Sequence, residues 1–302
     1  MPDAPTIGDR TADYVFALAA QFPDLTSDDI TLGEEPDADL TRVDWDGWTA
    51  LFARSEEAAS QLSVMSAVMP HVRGFVSPAV PIWEHADQSG DWKRTWHAAQ
   101  RPEGRLLEPT LIVDQNRDAL VRDLATFFHE LHQFSVERAR GLGAASFRAW
   151  RDEHAALSRR SQSVLRPLLS WSDMTWGRKW WSRFLDDDSV WRVTPSLIHG
   201  GISAERLLVD PLVRELAAVT GWHGVRVADP AVDLAHLVDT YGTELGWRIV
   251  ERYGELGSTA DAALFRRIRL QQTVRRFRDV VEAAERDGVD GEAMSIALKR
   301  LR

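Results

Sequence analysis

Three kinds of side chain in this chain could do chemistry: histidines beside a carboxylate, an acidic triplet, and arginines. His129-Glu130-Leu131-His132 puts two histidines and a glutamate within one helical turn. A helical zinc protease motif needs histidines at i and i+4, so that both rings reach one ion; here they are at i and i+3. The pair is therefore expected to pack or hydrogen-bond at a helix end. Asp186-Asp187-Asp188 could offer carboxylates to a cationic ligand such as an amino sugar, although a solvated acidic turn is the simpler account. Arg206 could hold an anion, which a guanidinium binds well. It could equally pair with Asp229 or Glu205 as a structural plug. Arg266, Arg267, Arg269, Arg275, Arg276 and Arg278 interleave with Phe265, Ile268 and Phe277. That pattern reads as an ordinary helix with a charged outer face rather than a phosphate site.

Composition removes several classes. The chain has no cysteine, so thiol nucleophiles, disulfides and cysteine zinc sites are impossible. Its net charge of -10 argues against nucleic acid as a partner and leans toward neutral or cationic ligands. No apolar run approaches the ~20 residues of a membrane span, and the start lacks a basic leader, so no membrane association and a cytoplasmic location are expected. Of 36 basic residues only Lys93, Lys179 and Lys299 are lysine. The 13 tryptophans, with Trp176, Trp180 and Trp181 in one group, are expected mostly as core anchors.

The elements that must position these groups follow from periodicity. Val15, Leu18, Ala19 and Phe22 give one helical face over residues 12–22. The acidic stretch 24–47 closes on the turn-like pair Asp46-Gly47, and residues 48–52 read as a strand. Ala58, Leu62, Met65 and Met69 share a helical face over 57–69, after which Pro70, Pro78 and Pro81 impose extended pieces. Leu120, Val121, Leu124, Phe127, Phe128 and Leu131 mark a strongly amphipathic helix. Helical patterns continue over 144–169 and 176–185. Three short apolar runs follow, at 196–198, 207–209 and 216–219. Asp229-Pro230 then opens a further helix, with Asp as N-cap and Pro at N1. The expected fold class is α+β. A small mixed α/β lobe spans 1–102, and a larger, mainly helical lobe spans 103–302 with a hairpin-like insert at 196–221.

That insert carries a resemblance. Residues 197–210, Leu-Ile-His-Gly-Gly-Ile-Ser-Ala-Glu-Arg-Leu-Leu-Val-Asp, resemble the catalytic loop of aminoglycoside phosphotransferase-like kinases, whose pattern is h-h-H-G-D-h-x-x-x-N/H-h-h-h-D. Residues 219–235 are similar to the same family's I-D-W-x-x-A-x-V-x-D-P-A-x-D-h-A segment. The run 183–191 looks like that of the macrolide 2′-phosphotransferase branch, and Glu130-Leu131-His132 is similar to the family's helix ending in Leu-His. The resemblance implies a two-lobed, protein-kinase-like fold with a nucleotide between the lobes. In active members, catalysis is positioning plus electrostatics, with a carboxylate at the acceptor hydroxyl and Mg²⁺ on the phosphates.

By that resemblance the chemical positions are vacated here. The loop aspartate aligns with Gly201, the metal-binding Asn or His with Arg206, and the second metal-binding aspartate with Gly221. The third-strand cation aligns with Leu51, and its helical glutamate partner with Gln61. The positions read as scaffold, His199, Asp229 and Asp233, remain. Losing a general base alone forfeits ~10²–10⁴ in rate. An arginine at 206 places a fixed cation where a metal's charge would sit. The expectation is a pseudokinase that has lost phosphoryl transfer and binds a small molecule in the retained cleft. No metal site and no cofactor are expected; ATP or GTP with Mg²⁺ would be required only if the family activity survived. One rival is an atypical phosphotransferase acting on a hydroxyl of a macrolide-like or amino-sugar molecule. It would use Glu205 or Asp229 as acid/base and Arg206 in place of a metal. The other rival is a protein-interaction scaffold or regulator.

Overall fold

The protein is described from a computed structural model, which covers residues 11–35, 39–87, 89–257, 263–289 and 291–301. The N-terminal part holds α1 (Thr11–Leu18), β1 (Thr31–Glu35), β2 (Leu40–Trp45), β3 (Trp48–Ala53), α2 (Glu56–Val72), β4 (Trp83–Ala86) and β5 (Trp96–Gln100). The strands form one antiparallel sheet in the order β1-β2-β3-β5-β4. Strand side chains alternate between faces, which sorts the two cores. Val43, Ala50, Phe52, Trp96 and Ala98 pack with Tyr14 and Leu18 of α1. Leu40 and Leu51, on the opposite face, join Leu62, Met65 and Met69 of α2. Ser55 caps α2 by accepting the Ala58 N–H at 3.2 Å, as an N-cap serine should.

Several expectations change here. The first helix ends at Leu18 rather than residue 22, and α2 runs through Pro70 to Val72. The acidic stretch 24–47, read without strands, contains β1 and β2. The signal was present: Thr41, Val43 and Trp45 alternate with Arg42 and Asp44 ahead of the Asp46-Gly47 turn, a hairpin pattern.

The C-terminal part begins with β6 (Arg105–Leu106), α3 (Asp114–Gln133), α4 (Val136–Gly141), α5 (Phe147–Leu165), α6 (Trp171–Asp186) and α7 (Asp188–Trp191). Then come β7 (Ser196–Ile198), β8 (Leu207–Val209), β9 (Leu216–Val219) and β10 (Arg226–Ala228). The chain finishes with α8 (Ala231–Glu255), α9 (Leu264–Asp287) and α10 (Glu292–Leu301). The insert at 196–221 is not one self-contained hairpin. β8 pairs with β9 and β6, whereas β7 pairs with β10 beyond it. The loop between β7 and β8 is thus held at both ends by different partners. Among the described residues no helix is long and apolar enough to cross a membrane.

Candidate functional site

The β7–β8 loop is built on Asp233, near the start of α8. Its Oδ2 accepts the His199 N–H and its Oδ1 the Gly200 N–H, both at 2.8 Å. His132 of α3 approaches Oδ2 at 3.2 Å and bonds the Tyr253 hydroxyl at 3.0 Å through its other nitrogen. The His129–His132 pair therefore supplies a buried loop anchor at His132. Among the described residues, no three His, Cys, Asp or Glu side chains cluster as metal ligands. Burial opposes charge on Asp233, but His132, His199 and the Gly200 amide outweigh it and hold the carboxyl below its ordinary range. Gly200 has φ of +83°, and a Cβ there would collide with the Gly224 carbonyl, so only glycine fits.

His199 is fully buried, and burial pushes its ring down to about 4, helped by Arg206. Its Nε2 lies 2.8 Å from the Thr220 carbonyl, an acceptor only, so the neutral ring carries its proton on Nε2. Asp229 is also a scaffold residue. The N-cap of α8 is Pro230 rather than Asp229, whose Oδ1 accepts the Ala231 N–H at 2.9 Å and whose Oδ2 accepts Arg267 Nε at 2.7 Å. Both side chains of this ion pair are buried. The anticipated pairing of Arg206 with Asp229 is therefore replaced by Arg267. That arginine turns inward although the helix was read as carrying its arginines outside, because the buried Asp229 carboxylate needs a counter-charge. Phe265, expected inside, is instead 46% exposed and stacks on Trp247. Arg266 and Arg276 keep to the outer side.

Arg206 occupies the centre of the loop, only 6% exposed. One Nη donates to the Gly201 carbonyl. The other lies 3.4 Å from His223 Nε2 and 3.8 Å from Glu35 Oε2 of β1. Burial, then Arg206, pushes His223 down to about 3, so a neutral ring faces the guanidinium. A Cβ on Gly201 would run into Arg206 Nη1, and one on Gly221 would sit 2.5 Å from Arg206 Cδ. The two glycines and the arginine are thus one packing unit: the side chain lies where substituents at 201 and 221 would project. This donor set does not fit Mg²⁺, which requires hard oxygen ligands and is repelled by a guanidinium among them.

Gly221 also has φ of +74°. We expect Gly221→Ala to cost ~2–4 kcal/mol, from left-handed backbone strain plus collision with Arg206. In an Arg206→Ala background the collision vanishes and only the strain of ~1–2 kcal/mol should remain. A urea-denaturation double-mutant cycle reads the coupling, and strictly additive costs would contradict the packing unit.

Leu51 of β3 is buried between Arg42 of β2 and His97 of β5, its register partners. The small lobe does present a cation to this sheet face, but from the neighbouring strand. Arg42 bonds Glu35 at 2.9 Å and Asp44 at 3.0 Å. Sequence reading missed Arg42 and Glu35 along with their strands. Gln61 lies half-buried on α2, one residue before the fully buried Leu62.

The acidic triplet is largely occupied by its own neighbourhood. Asp186 accepts from Ser182 at 2.8 Å, and Asp187 caps α7 through the Ser189 N–H at 2.9 Å and pairs with Arg266. Asp188 is exposed, 3.9 Å from Arg192. Of the tryptophan group, Trp181 is buried while Trp176 is 47% exposed.

This arrangement can be set beside known proteins. Residues 9–270 match the model of the phosphotransferase enzyme family. Viomycin phosphotransferase from Streptomyces vinaceus is 28% identical over 254 residues, covering 80% of this chain and 85% of that protein. The uncharacterized protein YcbJ of Bacillus subtilis (strain 168) is 29% identical over 140 residues, 46% of this chain and 44% of the length of YcbJ. Among solved structures, the GDP and kanamycin complex of APH(2")-IIia superposes with a TM-score of 0.82 at 21% identity, covering 95% of this chain and 96% of that one. Macrolide 2'-phosphotransferase type I gives 0.72 at 20% identity over 99% of both chains. The sheet lobe, the helical lobe and the anchored loop between β7 and β8 are those of a kinase-like fold, and the chain belongs to the phosphotransferase enzyme family.

Proposed function

We propose that this protein is a family member that has given up metal-dependent phosphoryl transfer and works by binding a small molecule in the cleft between its lobes. One observation carries the reading: the Arg206 side chain packs against Gly201 and Gly221, in the volume that acidic side chains at those positions would need. With neither carboxylate nor metal site, no group remains at the loop to orient a hydroxyl or to neutralise phosphate charge. Relocated acid/base groups do not rescue the chemistry. Asp229 is buried and committed to Arg267, and Glu205 is solvent-exposed.

The test is a phosphotransfer assay with Mg-ATP and with Mg-GTP against viomycin, kanamycin and a macrolide, the classes suggested by the relatives. No phosphorylated product is expected. Turnover near ~1 s⁻¹, ordinary for an enzyme, would overturn the reading. The combined Gly201→Asp, Arg206→Asn, Gly221→Asp variant restores the donor types and should gain Mg²⁺-dependent nucleotide binding that the parent lacks.

A further inference from the structure

We propose that the helical lobe holds a second small-molecule site, a recess between α5, α6, α9 and the end of α10. It takes a flat, uncharged molecule of about one aromatic ring that carries an oxygen acceptor for Trp181. The site does not depend on the loss of catalysis at the β7–β8 loop, because none of its lining residues belongs to that loop or to the small lobe.

Three observations meet in the recess. The first is a donor without an acceptor. Trp181 is 1% exposed, and its indole N–H is buried with no hydrogen-bond partner among the described residues. A buried N–H left unmade costs free energy, and an indole can only donate, so what completes it must bring an acceptor. The second is a glycine with no steric duty. Gly177 lies inside α6, where glycine weakens a helix relative to alanine. A Cβ there would rest 3.9 Å from the Phe277 ring, ordinary contact, so packing does not exclude a side chain. What the missing side chain leaves is room in the recess. The third is the wall. Trp176, Trp181 and Phe277 line it together, with the Phe277 ring centre 5.0 Å from Trp181 and 6.0 Å from Trp176. Such rings present both faces and edges to another aromatic ring.

The ligand's size and charge follow from the same walls. The recess has about 250 Å³ of space, counting the part open to solvent, below the ~300–1,000 Å³ of a drug-sized site. In its resting form about 10 Å³ of this admits water, roughly one molecule. A ring therefore enters as Trp176 and Met174 move aside. Trp176 is 47% exposed, and methionine is a flexible side chain that repacks readily. The rim carries one charge of each sign, Asp173 and Arg178. Asp173 already accepts from the Ser170 hydroxyl at 2.8 Å, and Arg178 is solvent-exposed. A carboxylate placed at the buried Trp181 N–H would lose its hydration without gaining a buried counter-ion, so the acceptor is a neutral oxygen.

The experiment is an NMR titration of the full ¹⁵N-labelled chain with benzamide, a single ring with a neutral carbonyl. Trp181→Phe identifies the Trp181 indole N–H among the 13 tryptophans. Benzamide should shift that resonance saturably, with a Kd of ~1 mM or below. Gly177→Leu, which fills the recess, should weaken binding ~10-fold or more, with circular dichroism confirming the fold. Gly177→Ala is the milder version and should weaken binding while raising the melting temperature. Trp181→Phe keeps the wall and removes the donor, and should weaken binding ~3-fold or more, read on the Trp176 indole. No saturable shift by ~10 mM benzamide, or equal affinity in the parent and both Gly177 variants, would overturn the site. Unchanged affinity in Trp181→Phe would overturn the assigned donor. Phosphotransfer by the parent bears on the loop alone, so the two proposals fail separately.

Discussion

Lowering the pH from 7 toward 4 is expected to strip this protein of most of its stability. Burial pushes His97, His154 and His199 down to about 4 and His223 to about 3, from an ordinary value of 6.5. In the unfolded chain each ring takes up a proton near 6.5. In the folded protein it stays neutral until about 4 or below. Between those values the unfolded state binds more protons, so stability is fully present above 6.5 and is lost as the pH falls through the window. Each ring shifted to about 4 contributes ~3 kcal/mol of this loss, on the order of a large share of a domain's net stability. Two of the rings lie beside Arg206 and the β7–β8 loop. His199 is hydrogen-bonded across the loop, and His223 stands 3.4 Å from Arg206, so charging them sets like charges beside the guanidinium. Urea midpoints followed by circular dichroism and tryptophan fluorescence at pH 7, 6, 5 and 4.5 read the slope. A flat profile would show that these rings are not held neutral, and His154→Gln should make the profile shallower.

The second large effect lies at Arg267. Arg267→Ala is expected to destabilise the protein by ~3–5 kcal/mol, because it leaves the Asp229 carboxylate buried without its counter-charge. Asp229 accepts the N–H of Ala231, the first residue of α8, and sits four residues before Asp233, so the damage should extend to the loop that carries Arg206. Arg267→Met combined with Asp229→Asn removes both charges and should cost much less. Arg266→Ala, which breaks only the exposed pair with Asp187, should change stability by less than ~1 kcal/mol. Equal costs for Arg266→Ala and Arg267→Ala in chemical denaturation would contradict the buried pair.

What was legible in the chain is what is local in sequence. The motif around His199, the Asp229-Pro230 start of α8 and the amphipathic helix carrying Phe127 and Phe128 each lie within a few turns of chain. Their periodicity and spacing report directly on backbone geometry. The missed pieces, β1 and β2, were masked by charge: Glu35, Arg42 and Asp44 pair with one another inside an acidic stretch, and this outweighed the alternation of buried Thr41, Val43 and Trp45.

By resemblance, the sequence itself pointed to the family and the two-lobed fold, and it aligned Gly201 and Gly221 with the family's carboxylate positions. It also aligned Arg206 with the family's metal-ligand position. It left open whether that arginine lined an empty cleft, paired with Asp229 or Glu205, or held an anion. Only the tertiary structure placed Arg206 against the two glycines, assigned Asp229 to Arg267, and brought Glu35 and Arg42 to the same point. The reason is physical. A motif is set by neighbours along the chain, but the partner of a buried charge is chosen by how helices and lobes pack, and desolvation makes that choice costly to leave unmade.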